Sequence, residues 1–149
     1  GAIGGLTIGT VRVALSVLPG IKPYLISTLS VVAVPHKPVP LNLVGLSSWD
    51  TSSVTDMNNM FAYCRALRTL NLSSFTTEKV EDMSLMFLTC KNLTALRLDK
   101  FSIDKSTNVD RMFKNLSKEI QDCVVIISED SYYWVKDQLD KPYLTITFK

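Results

Sequence analysis

Residues 46–71 read LSSWDTSSVTDMNNMFAYCRALRTLN, and residues 72–97 read LSSFTTEKVEDMSLMFLTCKNLTALR. The second stretch begins where the first ends, and the two align without a gap, Leu46 answering to Leu72 and Asn71 to Arg97. Residues 98–116, LDKFSIDKSTNVDRMFKNL, repeat the pattern more loosely. Trp49, Phe75 and Phe101 fall in register, as do Met60, Met86 and Met112, and Phe61, Phe87 and Phe113. A fixed period of roughly 20–50 residues is the signature of a solenoid, in which each unit buries its apolar face only against its neighbours. Such chains work mostly by presenting surfaces rather than by enclosing a catalytic cleft.

Each unit divides into two parts. Leu67, Leu70 and Leu72 recur as Leu93, Leu96 and Leu98, and the last two of each set are two residues apart, the period of a strand with one buried face. Leu41, Val44 and Leu46 hold the same places one period earlier, so the ladder starts near residue 41. The second part carries Val54, Met57, Met60, Phe61, Cys64 and Leu67, copied as Val80, Met83, Met86, Phe87, Cys90 and Leu93. Spacings of 3, 3, 1, 3 and 3 draw one apolar stripe along a helix. Thr51, Ser52, Ser53, Thr76 and Thr77 are placed to cap its first turn, and Asp56 and Asp82 to complement its dipole. Each unit is therefore predicted to be a short strand, a polar turn and a helix of roughly two to three turns. Strands stack as a parallel sheet on one side, helices on the other, and Trp49, Phe75 and Phe101 fill the wedge between them.

The segments LSSWDTSSVTDMNNMFAYC and LSSFTTEKVEDMSLMFLTC closely resemble the BspA-like leucine-rich repeat, the unit found in tandem in mycoplasma-type surface lipoproteins. The pattern of that family is roughly L-x-x-W/F-x-T-S-x-V-x-x-M-x-x-M-F-x-x-C-x-x-L. The first two units match nearly every fixed position. The third departs at Ser106, Val109 and Leu116, as a decaying terminal repeat would. The resemblance spans about residues 41–127. It implies an α/β fold, a leucine-rich-repeat-like β/α solenoid with a parallel sheet. It also implies an extracellular or cell-surface location and a role in adhesion to host matrix proteins.

The flanks do not repeat. Residues 1–40 are expected to form an N-terminal β cap or small subdomain. Val11, Val13, Leu15 and Val17 alternate there with Arg12, Ala14 and Ser16, and Pro35-His36-Lys37-Pro38-Val39-Pro40 makes a stiff linker. Residues 41–127 hold the repeats and 128–149 a C-terminal cap. Ile120, Cys123 and Val125 extend the ladder if one residue is inserted. Ser128, Glu129 and Asp130 start a helix over about 131–139, and Leu144, Ile146 and Phe148 alternate with Tyr143, Thr145 and Thr147 in a last strand. Solenoids need ends of this kind to hide their final apolar layer.

Composition narrows the function. A net charge of +2 with scattered basic residues argues against nucleic acid. No apolar run reaches the ~18 residues of a spanning helix, and no basic region followed by an apolar block marks a signal peptide. His36 is the one histidine and sits between prolines, a poor place for a catalyst. Cys64, Cys90 and Cys123 lack metal-ligand spacing. Cys64 and Cys90 are expected to be reduced, buried thiols, held apart by helices stacked at ~8–10 Å. The Met57, Met60, Phe61 and Met83, Met86, Phe87 stripes read as core rather than as a methionine groove. Asp50, Asp56, Glu78, Glu81 and Asp82 read as caps rather than calcium ligands, because the Gly-Gly-x-Gly-x-Asp unit of calcium-binding repeats is missing. Asn71, Asn92 and Asn115 open glycosylation sequons that arise readily in an Asn/Ser/Thr-rich repeat.

No set of titratable groups suggests an enzyme, and no metal or cofactor is implied. The reading that remains is a non-catalytic interaction module binding a host protein or glycan. The alternative is a structural spacer or stalk of a larger surface protein. If Leu70 and Leu72 point inward, Thr69, Asn71 and Ser73 point out, and the next unit offers Arg97 and Asp99 beside them. These five residues form the candidate ligand-binding ridge, with Arg97 its best anchor for a carboxylate or sulfate; the competing reading of Arg97 is a surface salt bridge with Asp99 or a neighbour.

Overall fold

The computed structural model describes residues 41–42, 46–48, 50–118 and 122–149. The expected N-terminal strands, the linker around His36 and the Trp49 ring lie outside the described residues. Among the described residues five strands form one parallel sheet in chain order: β1 (Leu41–Asn42), β2 (Leu67–Asn71), β3 (Ala95–Leu98), β4 (Cys123–Ile127) and β5 (Leu144–Phe148). Thr69, Leu70 and Asn71 lie opposite Ala95, Leu96 and Arg97, each pair one sequence period apart. Leu41 lies opposite Leu67, but Asn42 lies opposite Thr69, so β2 carries one extra residue, Arg68. That bulge explains why the inward leucines are spaced three and then two along the strand.

The ladder continues into β4 with a different offset. Leu96 faces Val125 and Leu98 faces Ile127, instead of the Cys123 and Val125 that one inserted residue gives. A slip of two leaves every side chain on the same face, so alternation alone does not distinguish the two registers. From β4 the chain crosses through helix α1 (Glu129–Leu139) to β5. Ser128 caps α1, its hydroxyl accepting from the Ser131 amide at 3.2 Å, with Glu129 and Asp130 in the first turn. The cap helix and last strand thus stand where the sequence places them.

The apolar stripes do not form helices. Among the described residues the single α-helix is α1; residues 54–66 and 80–92 run as consecutive turns. Their amides bond sideways. Met57, Asn59, Phe61 and Tyr63 donate to the carbonyls of Asp82, Ser84, Met86 and Leu88 at 2.8, 3.1, 2.9 and 2.6 Å. Met83, Leu85, Phe87 and Thr89 donate in turn to Asn108, Asp110, Met112 and Lys114 at 2.8–2.9 Å. Between them, Met60, Ala62 and Cys64 close turns onto residues three back. A left-handed residue every fourth position, at Asn59 and Tyr63, Leu85 and Thr89, Arg111 and Asn115, breaks any helical run. Left-handed backbone costs a non-glycine residue about 1–2 kcal/mol. Each lateral hydrogen bond contributes about 1 kcal/mol and leaves no buried amide unpaired. The lateral bonds therefore offset the cost of the left-handed residues.

Polar side chains brace the same stack instead of capping helices. The buried Thr51 hydroxyl donates to the Thr76 carbonyl and accepts from its amide, both at 3.0 Å. Thr77 accepts from the Ser102 amide at 2.8 Å. At the end of the series Ser131 of α1 takes over, donating to the Phe101 carbonyl at 2.6 Å and accepting from the Ile103 amide at 3.0 Å. Asp82 accepts from the amide and hydroxyl of Ser84, and Asp56 from the amide of Asn58, so both aspartates tie local turns.

Between sheet and ribbons lies the expected core. Met57, Met60, Phe61, Met83, Met86 and Phe87 are wholly buried, and the rings of Phe61, Phe87 and Phe113 stack at 5.7 and 5.5 Å. Cys64, Cys90 and Cys123 are buried thiols outside any disulfide. The helix-spacing reason does not hold, since the two ribbons carrying Cys64 and Cys90 are joined backbone to backbone, closer than stacked helices would be. Cys90 donates its thiol proton to the Phe61 carbonyl at 3.0 Å, and burial pushes its thiol up to about 12. Burial also holds Cys64 well above the ordinary thiol range.

Candidate functional site

The outward face of the sheet is built from rows that cross the strands. One row runs Thr69, Ala95, Val124, Thr145, and the next Asn71, Arg97, Ile126, Thr147. Thr69 and Asn71 are exposed, whereas Ser73, Arg97 and Asp99 are half-buried. The structure thus brings all five predicted ridge residues to one side of β2 and β3 and their following turns. Asn71 and Arg97 are register partners, as parallel stacking requires.

Their hydrogen bonds refine what each can do. Asn71 accepts from the Ser73 amide at 2.9 Å, which fixes the carbonyl end of its side chain and turns the chain out of the sheet. Arg97 is engaged by Asp99 two residues on: Nε donates to Oδ1 at 3.1 Å and Nη2 to Oδ2 at 2.6 Å. The paired hydrogen bonds hold the Asp99 carboxyl below its usual range and raise the guanidinium further. Lys149, after β5, adds to the pull on Asp99. Arg97 is therefore not an unpartnered cation. It is a guanidinium plane oriented by one carboxylate, with its other N–H groups left for a second acceptor.

The rest of the row was not read from the sequence. Val124, 39 % exposed, and Ile126 put apolar surface beside Arg97, which alternation along β4 could have revealed had its register been known. The exposed Tyr133 and Trp134 on α1 touch edge to face at 5.0 Å. Among the described residues no three His, Cys, Asp or Glu side chains gather in a way that could hold a metal ion. Among them, too, no helix is long and apolar enough to cross a membrane.

Comparison with protein families matches residues 38–126, more than half of the chain, to a family described as "Mycoplasma protein of unknown function, DUF285". No curated protein and no solved structure matches the chain.

Proposed function

The chain belongs to the family of Mycoplasma proteins of unknown function DUF285, and from that premise we propose that it is a non-catalytic interaction module, secreted or displayed on a cell surface, whose open sheet face binds a host protein or glycan. Its repeats are of the BspA-like leucine-rich kind and stack as one solenoid of 26-residue period, with a hydrogen-bonded turn ribbon where other leucine-rich repeats place a helix. The 26-residue register of β2 on β3 and the sideways bonds between successive ribbons support that reading.

One observation carries the functional part. Inward positions of neighbouring strands repeat, Leu70 with Leu96 and Leu72 with Leu98, while the outward partners change, Thr69 to Ala95 and Asn71 to Arg97. Packing keeps the first set constant. Solvation alone accepts many side chains at the second, so their divergence leaves room for recognition. The Asp99-oriented guanidinium of Arg97 beside the Asn71 amide suits a carboxylate or sulfate on the ligand.

The experiment is a binding screen of the 149-residue chain against glycans and extracellular-matrix proteins, repeated with Asn71→Ala and Arg97→Ala combined. The expected result is a ligand bound by the parent chain and lost by the folded double variant. Unchanged affinity in that variant refutes the ridge as the site, and a chain that binds nothing in the screen favours the spacer role.

A further inference from the structure

The ladder of ribbons is directional. Over residues 57–63 and 83–89 alternate amides donate forward, although at the ribbon ends Glu81 donates back to Thr55, Asn108 to Glu81 and Ser117 to Cys90, so the third ribbon ends the forward series with donors. Its counterparts to the bonded amides of the first two are Val109, Arg111, Phe113 and Asn115. Phe113 donates to Oε1 of Gln138, on α1, at 3.0 Å, as Phe61 donates to Met86 and Phe87 to Met112. Nε2 of the same Gln138 donates to the Val109 carbonyl at 2.8 Å. A side-chain amide thus stands where the next unit's peptide group would stand. Among the described residues, the amides of Val109, Arg111 and Asn115 have no acceptor.

These amides border a cleft of about 580 Å³ between the third ribbon, the last turns of α1 and the start of β5. Phe113, Leu116 and Leu144 give it an apolar lining. Arg111, Lys114, Lys118 and Lys141 line it against only Asp110 and Asp137, and Asp110 is tied to Arg111 at 3.0 Å.

We propose that this cleft is a second binding site, distinct from the sheet face, that takes an acidic peptide segment, its carbonyls meeting the amides left open beside Gln138. Three observations select that occupant. The donors recur at alternate residues, as do the backbone carbonyls that meet such donors between the inner ribbons. The donor position already filled is filled by an amide. The excess of lysine demands carboxylates at the rim, as complementary charge does at docking surfaces generally. Recognition follows the mode in which a peptide adds to an exposed edge, main-chain bonds giving affinity and flanking side chains specificity.

The test titrates the ¹⁵N-labelled full chain with a short, end-blocked peptide of alternating Glu and Val. The amide protons of Val109, Arg111 and Asn115 move downfield and exchange more slowly, while those of Asn71 and Arg97 stay in place. Lys114→Glu combined with Lys141→Glu weakens binding roughly tenfold or more, through lost attraction and new repulsion. Gln138→Ala frees the Phe113 amide and strengthens binding about threefold, about what one added hydrogen bond contributes. Laurate, inorganic phosphate and a Lys-Val peptide serve as separate arms. No response of the three amides at millimolar Glu-Val peptide overturns the proposal. So does an equal response to laurate or phosphate alone, or equal affinity for the Lys-Val peptide.

Discussion

Replacing Phe87 by alanine is the sharpest perturbation of the stack. Its ring is wholly buried and lies between those of Phe61 and Phe113, at 5.7 and 5.5 Å and nearly parallel to both. Deleting a buried phenylalanine costs about 3–5 kcal/mol, transfer and cavity terms together. Each aromatic pair adds about 0.5–1.5 kcal/mol beyond the area it buries. With ring neighbours on both faces Phe87 belongs at the upper end, ~4–5 kcal/mol. Phe113, at the end of the ring stack with Phe87 as its neighbour, should cost about 1 kcal/mol less. Tyr133, 61 % exposed on α1, serves as the control; its alanine variant should fall within ~0.5 kcal/mol of the parent. Urea unfolding followed by tryptophan fluorescence and far-UV circular dichroism gives the three values. The order Phe87, Phe113, Tyr133 is expected. A Phe113→Ala variant less stable than Phe87→Ala, or a Phe87→Ala loss no larger than that of Tyr133→Ala, refutes the central position of this ring.

Further outcomes follow from other features of the stack. Ser131→Ala removes the hydroxyl that satisfies both the Phe101 carbonyl and the Ile103 amide, and should cost ~1–3 kcal/mol in urea unfolding, because it leaves buried backbone groups unpaired. Thr89 is β-branched at φ 56°, so Thr89→Asn, better suited to left-handed backbone, should raise stability by about 0.5–1 kcal/mol, read as an upward shift in melting temperature. Thiols of the unfolded chain ionise near 9.0, whereas folded Cys90 keeps its proton up to about 12. The unfolded state then loses protons first, so stability falls as pH rises from about 9 toward 12, by up to ~1.4 kcal/mol per pH unit for each such thiol. Unfolding midpoints for the parent and for Cys90→Ala across that range check it, and the variant should show the shallower fall.

What could be read from the chain was the inward pattern. Leu70, Leu72, Leu96 and Leu98, the methionines and the phenylalanine series all lie in the core, because an ungapped repeat reports which side chains must meet. What fills the space between them was less legible. Spacings of 3, 3, 1, 3 and 3 suit a helix, but equally a run of turns whose left-handed residues recur every fourth position. Glycine would have betrayed those positions. Instead they hold Asn59, Tyr63, Leu85, Thr89, Arg111 and Asn115, of which only the asparagines hint at left-handed backbone. The β4 register was ambiguous for another reason, since a two-residue slip conserves the alternation. The ridge residues were found by the same alternation that located the core. Their engagement was legible too: two-residue spacing puts Arg97 and Asp99 within reach of each other, and the salt bridge that competes with ligand binding for Arg97 is formed in the structure. Gln138 carried no local signal, because its role depends on α1 packing over the last ribbon.

Successive units are joined sideways through their backbones at a 26-residue register. Scalar couplings across hydrogen bonds test it most directly in ¹³C,¹⁵N-labelled protein. A coupling is expected from the Phe61 amide nitrogen to the Met86 carbonyl carbon, and another from Phe87 to Met112, with none from either amide to the carbonyl four residues before it. Couplings to Met57 and Met83 in their place would mean that the stripes are helices after all, and would contradict it.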